Sequence, residues 1–174
     1  MSDALITALL TNPATYQMAN PTTTPDDYKL LLESIRRMPE RPMGQVRIQE
    51  NAPEINGSVN ANETPDPATG QYTLNGPPEI FISRLGQSYA SKDPGRIAGT
   101  LHHENTHLKG GTEAEAREAQ RKFVADSMKS GQMVKDKGYL RQLSNAATLF
   151  AGSKRRVIRN ADMEQALLLQ ALKK

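Results

Sequence analysis

Cysteine is absent from this chain, and so is tryptophan. The first absence excludes disulfides, thiolate metal sites and a cysteine nucleophile. The second, with aromatics at only 5%, leaves the core to aliphatic side chains. Long apolar runs are missing too. None approaches the roughly 20 residues that cross a bilayer, so no membrane span is expected. The opening Met1-Ser2-Asp3-Ala4-Leu5-Ile6 has neither the basic start nor the apolar stretch of a signal peptide, which reads as a chain cytoplasmic as made. Charge of one sign is also scarce. A net charge of +3 is too small to imply nucleic-acid binding, and no nucleic-acid partner is expected. The basic residues Lys154, Arg155, Arg156, Arg159, Lys173 and Lys174 flank an apolar run at 166–169 with no aromatics between them. They read as the solvated face of a terminal amphipathic helix rather than a base-stacking platform.

What is present suits one α+β domain. The chain has 174 residues, 37% hydrophobic and 24% charged, enough for a single core. Four segments follow from local pattern. Residues 1–44 form a helical start, with a short helix at 2–10 and a second opened by Thr24-Pro25 as cap and first helical residue. Residues 45–83 form the sheet region, with strands at 45–49, 71–74 and 79–83 and a short one near Val59. Residues 93–129 form a helix pair. Asp93-Pro94 opens the first helix, Gly110-Gly111 ends it, and Thr112 to Glu115 reads as a capping box for the second. Residues 136–174 supply two C-terminal helices, near 136–151 and 160–173.

All three histidines lie within the stretch 102–107, and His103-Glu104-Asn105-Thr106-His107 is an H-E-x-x-H motif. Positions i and i+4 share one face of a helix, so His103 and His107 can grip one Zn²⁺ from the same side. Glu104 lies between them, close enough to act as general base on a bound water. His102 is turned about 100° away from His103 and is expected towards solvent or in outer contact with the site. A catalytic zinc takes three protein ligands. No histidine remains, so the third must be a carboxylate, and Glu113, Glu115 and Glu118 follow closely. Glu118 points away from the apolar face of its helix. Folding the two helices back about Gly110-Gly111 brings residue 115 level with the histidines, which favours Glu115. The same residue is wanted by the capping box, which leaves Glu113 as the alternative.

His103-Glu104-Asn105-Thr106-His107, followed by Gly-Gly-Thr-Glu-Ala-Glu-Ala, resembles the zincin superfamily of zinc metallopeptidases. The second-helix glutamate is similar to that of the gluzincin branch. The spacing from His107 to Gly110 to Glu113 also echoes metzincins, which carry His or Asp at the last position. The Gly-Gly-Thr stretch echoes aspzincins, although no Asp follows it here. The chain resembles most the small metallopeptidase domains of bacterial polymorphic toxins and effectors, specifically over about residues 80–125 and in general layout alone over the remainder. The resemblance implies a zincin-like fold: a small, mostly antiparallel sheet packed on the H-E-x-x-H helix, with C-terminal helices enclosing it.

The resemblance also implies roles. His103, His107 and Glu115 or Glu113 would bind Zn²⁺, and Glu104 would be the catalytic base. The strand Ile80-Phe81-Ile82 would be the edge along which a peptide lies. Tyr139, Tyr89 and Arg117 are candidates to stabilise the oxyanion, with Tyr139 the first choice as a catalytic residue. Met128 or Met133 would sit beneath the metal, as a methionine does in metzincins, or simply in the core.

The expected function is zinc-dependent hydrolysis of peptide bonds by a bacterial toxin or effector. It would act on a protein or peptide substrate, be exported by a dedicated secretion system and be countered by an immunity or inhibitor protein. Two alternatives stand beside it. One is a non-enzymatic interaction module with a degenerate motif and a basic C-terminus. The other is a zinc amidase acting on cell-wall peptide crosslinks.

Overall fold

In a computed structural model, residues 23–43, 45–50, 55–60, 63–65, 72–74 and 79–151 are described. The expected helices at 2–10 and 160–173, and the basic residues from Lys154 onward, lie outside them. The described elements run α1 (Pro25–Arg37), β1 (Gln45–Gln49), β2 (Gly57–Asn60), β3 (Glu63–Pro65), β4 (Tyr72–Leu74) and β5 (Glu79–Ser83). Then come α2 (Gln87–Ala90), α3 (Pro94–Leu108), α4 (Glu113–Lys129) and α5 (Lys137–Phe150). The fold is α+β, as expected.

The helix starts obey local chemistry. Thr24 and Asp27 form a reciprocal capping box on α1, with Pro25 in the first turn. Asp93 caps α3 by accepting from the Gly95 amide at 2.7 Å. Asp136 caps α5 through the Tyr139 amide at 2.9 Å. The Asp27 carboxylate has a second task. It accepts from Arg84 at 2.8 Å and from the Tyr89 hydroxyl, and so ties the start of α1 to the turn between β5 and α2.

The sheet departs from expectation in two ways. Its order is β1-β5-β2, with β1 and β5 parallel and β2 antiparallel to β5. It is therefore mixed rather than mostly antiparallel. A separate antiparallel pair, β3-β4, falls between β2 and β5 in the chain. The strand Ile80-Phe81-Ile82 lies in the centre, not at the edge. The cause is in its side chains: Ile80 and Ile82 are wholly buried, and Val46 and Val59 flank Ile80 on either side in register. A strand with two apolar neighbours in one row buries more surface in the middle of a sheet than at its rim.

This apolar row packs on α3 through Ile97, Ala98 and Leu101, all with no exposed surface, and α1 adds Leu31 and Ile35. The opposite side of α3 meets α4, where Val124 and Met128 begin a second cluster completed by Met133, Tyr139 and Leu143. The helix carrying the motif is thus packed between two cores. Truncating Ile80→Ala should cost about 2–5 kcal/mol. The denaturant midpoint would fall accordingly, and a change well below that range would show that β5 is not the centre of the core.

Candidate metal centre

Two structural devices aim the motif. The first is the end of α3. The Gly111 amide donates to the Thr106 carbonyl at 2.9 Å and the Gly110 amide to the His107 carbonyl at 2.8 Å, which is a Schellman turn. Gly110 has φ 90°, a left-handed conformation that glycine adopts without steric penalty. The turn presents the Gly111 carbonyl to His107 Nδ1 at 3.1 Å. A carbonyl can only accept, so Nδ1 carries a hydrogen and Nε2 is the nitrogen turned inward, with its lone pair free whenever the ring is neutral. The second device is the loop after α1. Asn105 is wholly buried; its Oδ1 accepts from the Met43 amide at 2.7 Å and its Nδ2 donates to Glu40. That anchor keeps the motif turn of α3 against the rest of the fold.

Three side chains converge as a result. His103 Nε2 and His107 Nε2 are 3.1 Å apart. Glu113 Oε2 lies 3.1 Å from the second and 3.7 Å from the first. A divalent ion in tetrahedral coordination with bonds of about 2.0–2.1 Å needs donors about 3.3–3.4 Å apart. The observed spacing brackets that value, and all three residues are buried or nearly so. Glu104 also brings a carboxylate oxygen within 4.8 Å of both histidines, so a second grouping shares the same imidazoles. Glu113 approaches from the opposing helix and closes to 3.1 Å on His107 Nε2. His103 Nδ1 is buried without a hydrogen-bond partner, so only His107 has its ring fixed from behind.

Glu113 takes the place for which Glu115 was favoured. The local start of α4 decides between them. Thr112 caps that helix, and its amide donates to Glu115 Oε2 at 2.7 Å while the Glu115 amide donates to Thr112 Oγ1 at 3.3 Å. Glu115 is therefore held at the exposed cap. Glu113 is the first residue of α4, and side chains in a helix lean towards its N-terminus, here back over the turn onto His107. Glu118 is exposed and pairs with Arg121, as expected of a solvated position.

Electrostatics follow from burial and neighbours. Burial alone would raise the Glu113 carboxyl, but its contacts with His103 and His107 and the charge of Arg117 outweigh that and hold it far below the ordinary range. Burial lowers the His107 imidazole, yet the Glu113 hydrogen bond, the Glu104 charge and the Gly111 carbonyl together raise it. Glu104 is fully enclosed, and burial pushes its carboxyl up despite the two histidines. Its side chain lies against β2. A Cβ on Gly57 would stand 3.0 Å from Glu104 Oε1 and 2.8 Å from Thr100 Cγ2, so β2, the sheet edge, passes directly over the motif.

The remaining expectations divide. Tyr139 is buried among the α4 and α5 side chains, with the Arg96 guanidinium 4.3 Å from its ring centroid. Arg96 lies seven residues before His103, about 10 Å along the helix axis, so Tyr139 belongs to the second core rather than to the site. Burial raises its hydroxyl; Ser88 is near enough to offset this in part without making a hydrogen bond of full geometry. The Tyr89 hydroxyl is taken by Asp27. Met128 and Met133 are core residues. A Cβ on Gly95 would lie 3.0 Å from Met133 Cγ, well before the motif on α3. His102 is half-buried and packs on Phe123, ring centroids 5.7 Å apart, and burial lowers its pKa. Arg117 alone of the three oxyanion candidates reaches the site, by donating to Glu113 Oε1 at 2.5 Å. That contact and the approach of Gly57 to Glu104 were missed in the sequence. The first had a signal, an acid four residues before an arginine on one helix.

Compared with known protein families, curated proteins and solved structures, the chain finds no match in any of the three. No helix among the described residues is long and apolar enough to cross a membrane.

The two glutamates make a direct test. Glu113→Gln should weaken Zn²⁺ binding by more than about 100-fold, the upper end of what loss of an outer partner costs. Glu115→Ala should leave binding unchanged and lower stability slightly through loss of one half of the capping box. The reverse ranking, read by competition with a chromogenic chelator, would return Glu115 to the centre.

Proposed function

We infer that the chain is a zinc-dependent metallopeptidase in which His103, His107 and Glu113 hold the ion and Glu104 is the general base. One observation carries this reading: the three donor atoms at 3.1, 3.1 and 3.7 Å, with a buried acid beside them. Two imidazoles and one carboxylate are among the ligand sets of catalytic zinc, with a fourth position left for water or substrate. When bound, zinc supplies Lewis acidity, polarising a carbonyl and bringing the pKa of a coordinated water to about 7.

The residues of the chain do the rest. Glu104 receives the proton of the attacking water at its carboxylate and passes it to the departing amine. Its burial raises the carboxyl, which makes the carboxylate a stronger proton acceptor. His103 and His107 present Nε2, and the Gly111 carbonyl keeps the His107 ring in the needed tautomer. The outer edge of β2, unpaired among the described residues, offers backbone donors and acceptors to an extended peptide beside Glu104. That edge takes the part for which Ile80-Phe81-Ile82 was expected, and it favours a peptide over other amides. The likeness of 80–125 to toxin and effector peptidases extends the reading to an exported protein with an immunity partner.

The purified protein should take up about one Zn²⁺ per chain and hydrolyse an unstructured protein substrate. A chelator should stop the reaction and added zinc restore it. Glu104→Gln should keep the fold and the metal while turnover falls about 10²–10⁴-fold. Undiminished turnover would remove Glu104 as the base, and no zinc uptake at micromolar free zinc would remove the whole reading. Gly57→Ala is a subtler probe. Its new Cβ displaces the Glu104 carboxylate, so turnover should fall towards the ~100-fold that an ångström of misplacement costs, with zinc affinity retained. Wild-type turnover in that variant would mean that β2 does not set the position of the base.

A further inference from the structure

Arg117 is the charged group nearest the centre that the reaction scheme leaves unused. It stands one turn after Glu113 on α4, and its Nε donates to Glu113 Oε1. The other oxygen, Oε2, is the one that faces His103 and His107. The Arg117 guanidinium in turn lies 5.2 Å from the ring centroid of Phe150, at the end of α5. It is therefore held between a carboxylate and a ring from two different helices, and its side chain is one-third exposed.

A carboxylate can grip an ion through one oxygen or both. With Oε1 held by the guanidinium and Oε2 turned to the imidazoles, the carboxylate is oriented to offer one oxygen rather than both. We propose that Arg117 is a positioning residue that restricts Glu113 to single-oxygen ligation and so keeps a coordination corner open at the centre. This rests on the reading of Glu113 as a ligand. Without the guanidinium the Glu113 carboxylate is free to rotate and present both oxygens, which would fill the corner that water and substrate need. Lysine at 117 retains a donor and a charge on a flexible stem, so it can still engage one oxygen, with less fixed geometry than the arginine fork.

Cobalt(II) reports coordination number through its visible absorption, intense when four-coordinate and weak when five-coordinate. The Co²⁺-loaded wild-type protein should show intense bands. Arg117→Ala should lose intensity and shift its bands, and Arg117→Lys should recover most of the wild-type spectrum. In a Glu113→Gln background Arg117→Ala should change nothing further, because the residue acts through that carboxylate. The ion-free variants should keep wild-type circular dichroism. If Arg117→Ala fails to fold, Arg117→Met, which keeps the stem against Phe150, replaces it. An unchanged cobalt spectrum on loss of the guanidinium, or an effect that persists in the Glu113→Gln background, overturns the proposal. Failure of the underlying reading looks different: Glu113→Gln itself would then leave the cobalt spectrum as it was.

Discussion

The hydrogen bond between His107 Nδ1 and the Gly111 carbonyl is the constraint on which the centre depends. It couples the end of a helix to the direction of a lone pair. The Schellman turn at Gly110-Gly111 creates the carbonyl's position, the carbonyl fixes the ring, and the ring points Nε2 at His103 and Glu113. The same turn sets where α4 begins, and hence which glutamate leans back over His107. One backbone geometry thus aims two of the three donors. A looser connection would leave each side chain to find its orientation at an entropic cost of about 0.5–2 kcal/mol.

Rigidity around α3 has a matching logic. The helix is buried on its sheet side by Ile97 and Leu101 and on the other by the α4 interface, so it has little freedom to tilt. Asn105 adds a polar tie to the loop after α1 from within the motif itself. Motif residues other than the two histidines therefore have structural work. Asn105 anchors and Glu104 lies under the sheet edge, while Thr106 returns its hydroxyl to the His102 carbonyl at 2.8 Å. This agrees with the general rule that a site is only as well placed as the shell supporting it.

Much of this was legible in the sequence wherever the rule was local. Thr24-Pro25, Asp93-Pro94 and Thr112 with Glu115 marked helix starts that the structure has, and Gly110 marked an exit. Strands at 45–49 and 79–83 were readable from alternation. The order of the sheet was not, because pairing β1 with β5 across more than thirty residues is decided by matching apolar rows rather than by any short pattern. The choice between Glu113 and Glu115 was half legible. The sequence set a capping box against a ligand role at Glu115, and a hairpin estimate of level was too coarse to see that the cap would win. An N-cap forms from adjacent residues at almost no chain-entropy cost, whereas ligation across a turn needs the turn to exist first.

The charge balance explains why these groups tolerate one another. Two carboxylates, Glu104 and Glu113, are enclosed beside a single guanidinium, Arg117, which leaves one negative charge unmatched among buried groups. A raised His107 and a raised Glu104 are two ways in which the pocket recovers that charge as a proton. Three lone-pair atoms within 3.1–3.7 Å of one another would otherwise repel. The same unmatched charge at the centre of the triangle is what the proposed divalent ion would meet in place of a proton. The donor spacing and the electrostatics are therefore two consequences of one arrangement. An accidental pair of surface histidines would show neither, since exposed imidazoles separate and water screens any carboxylate nearby.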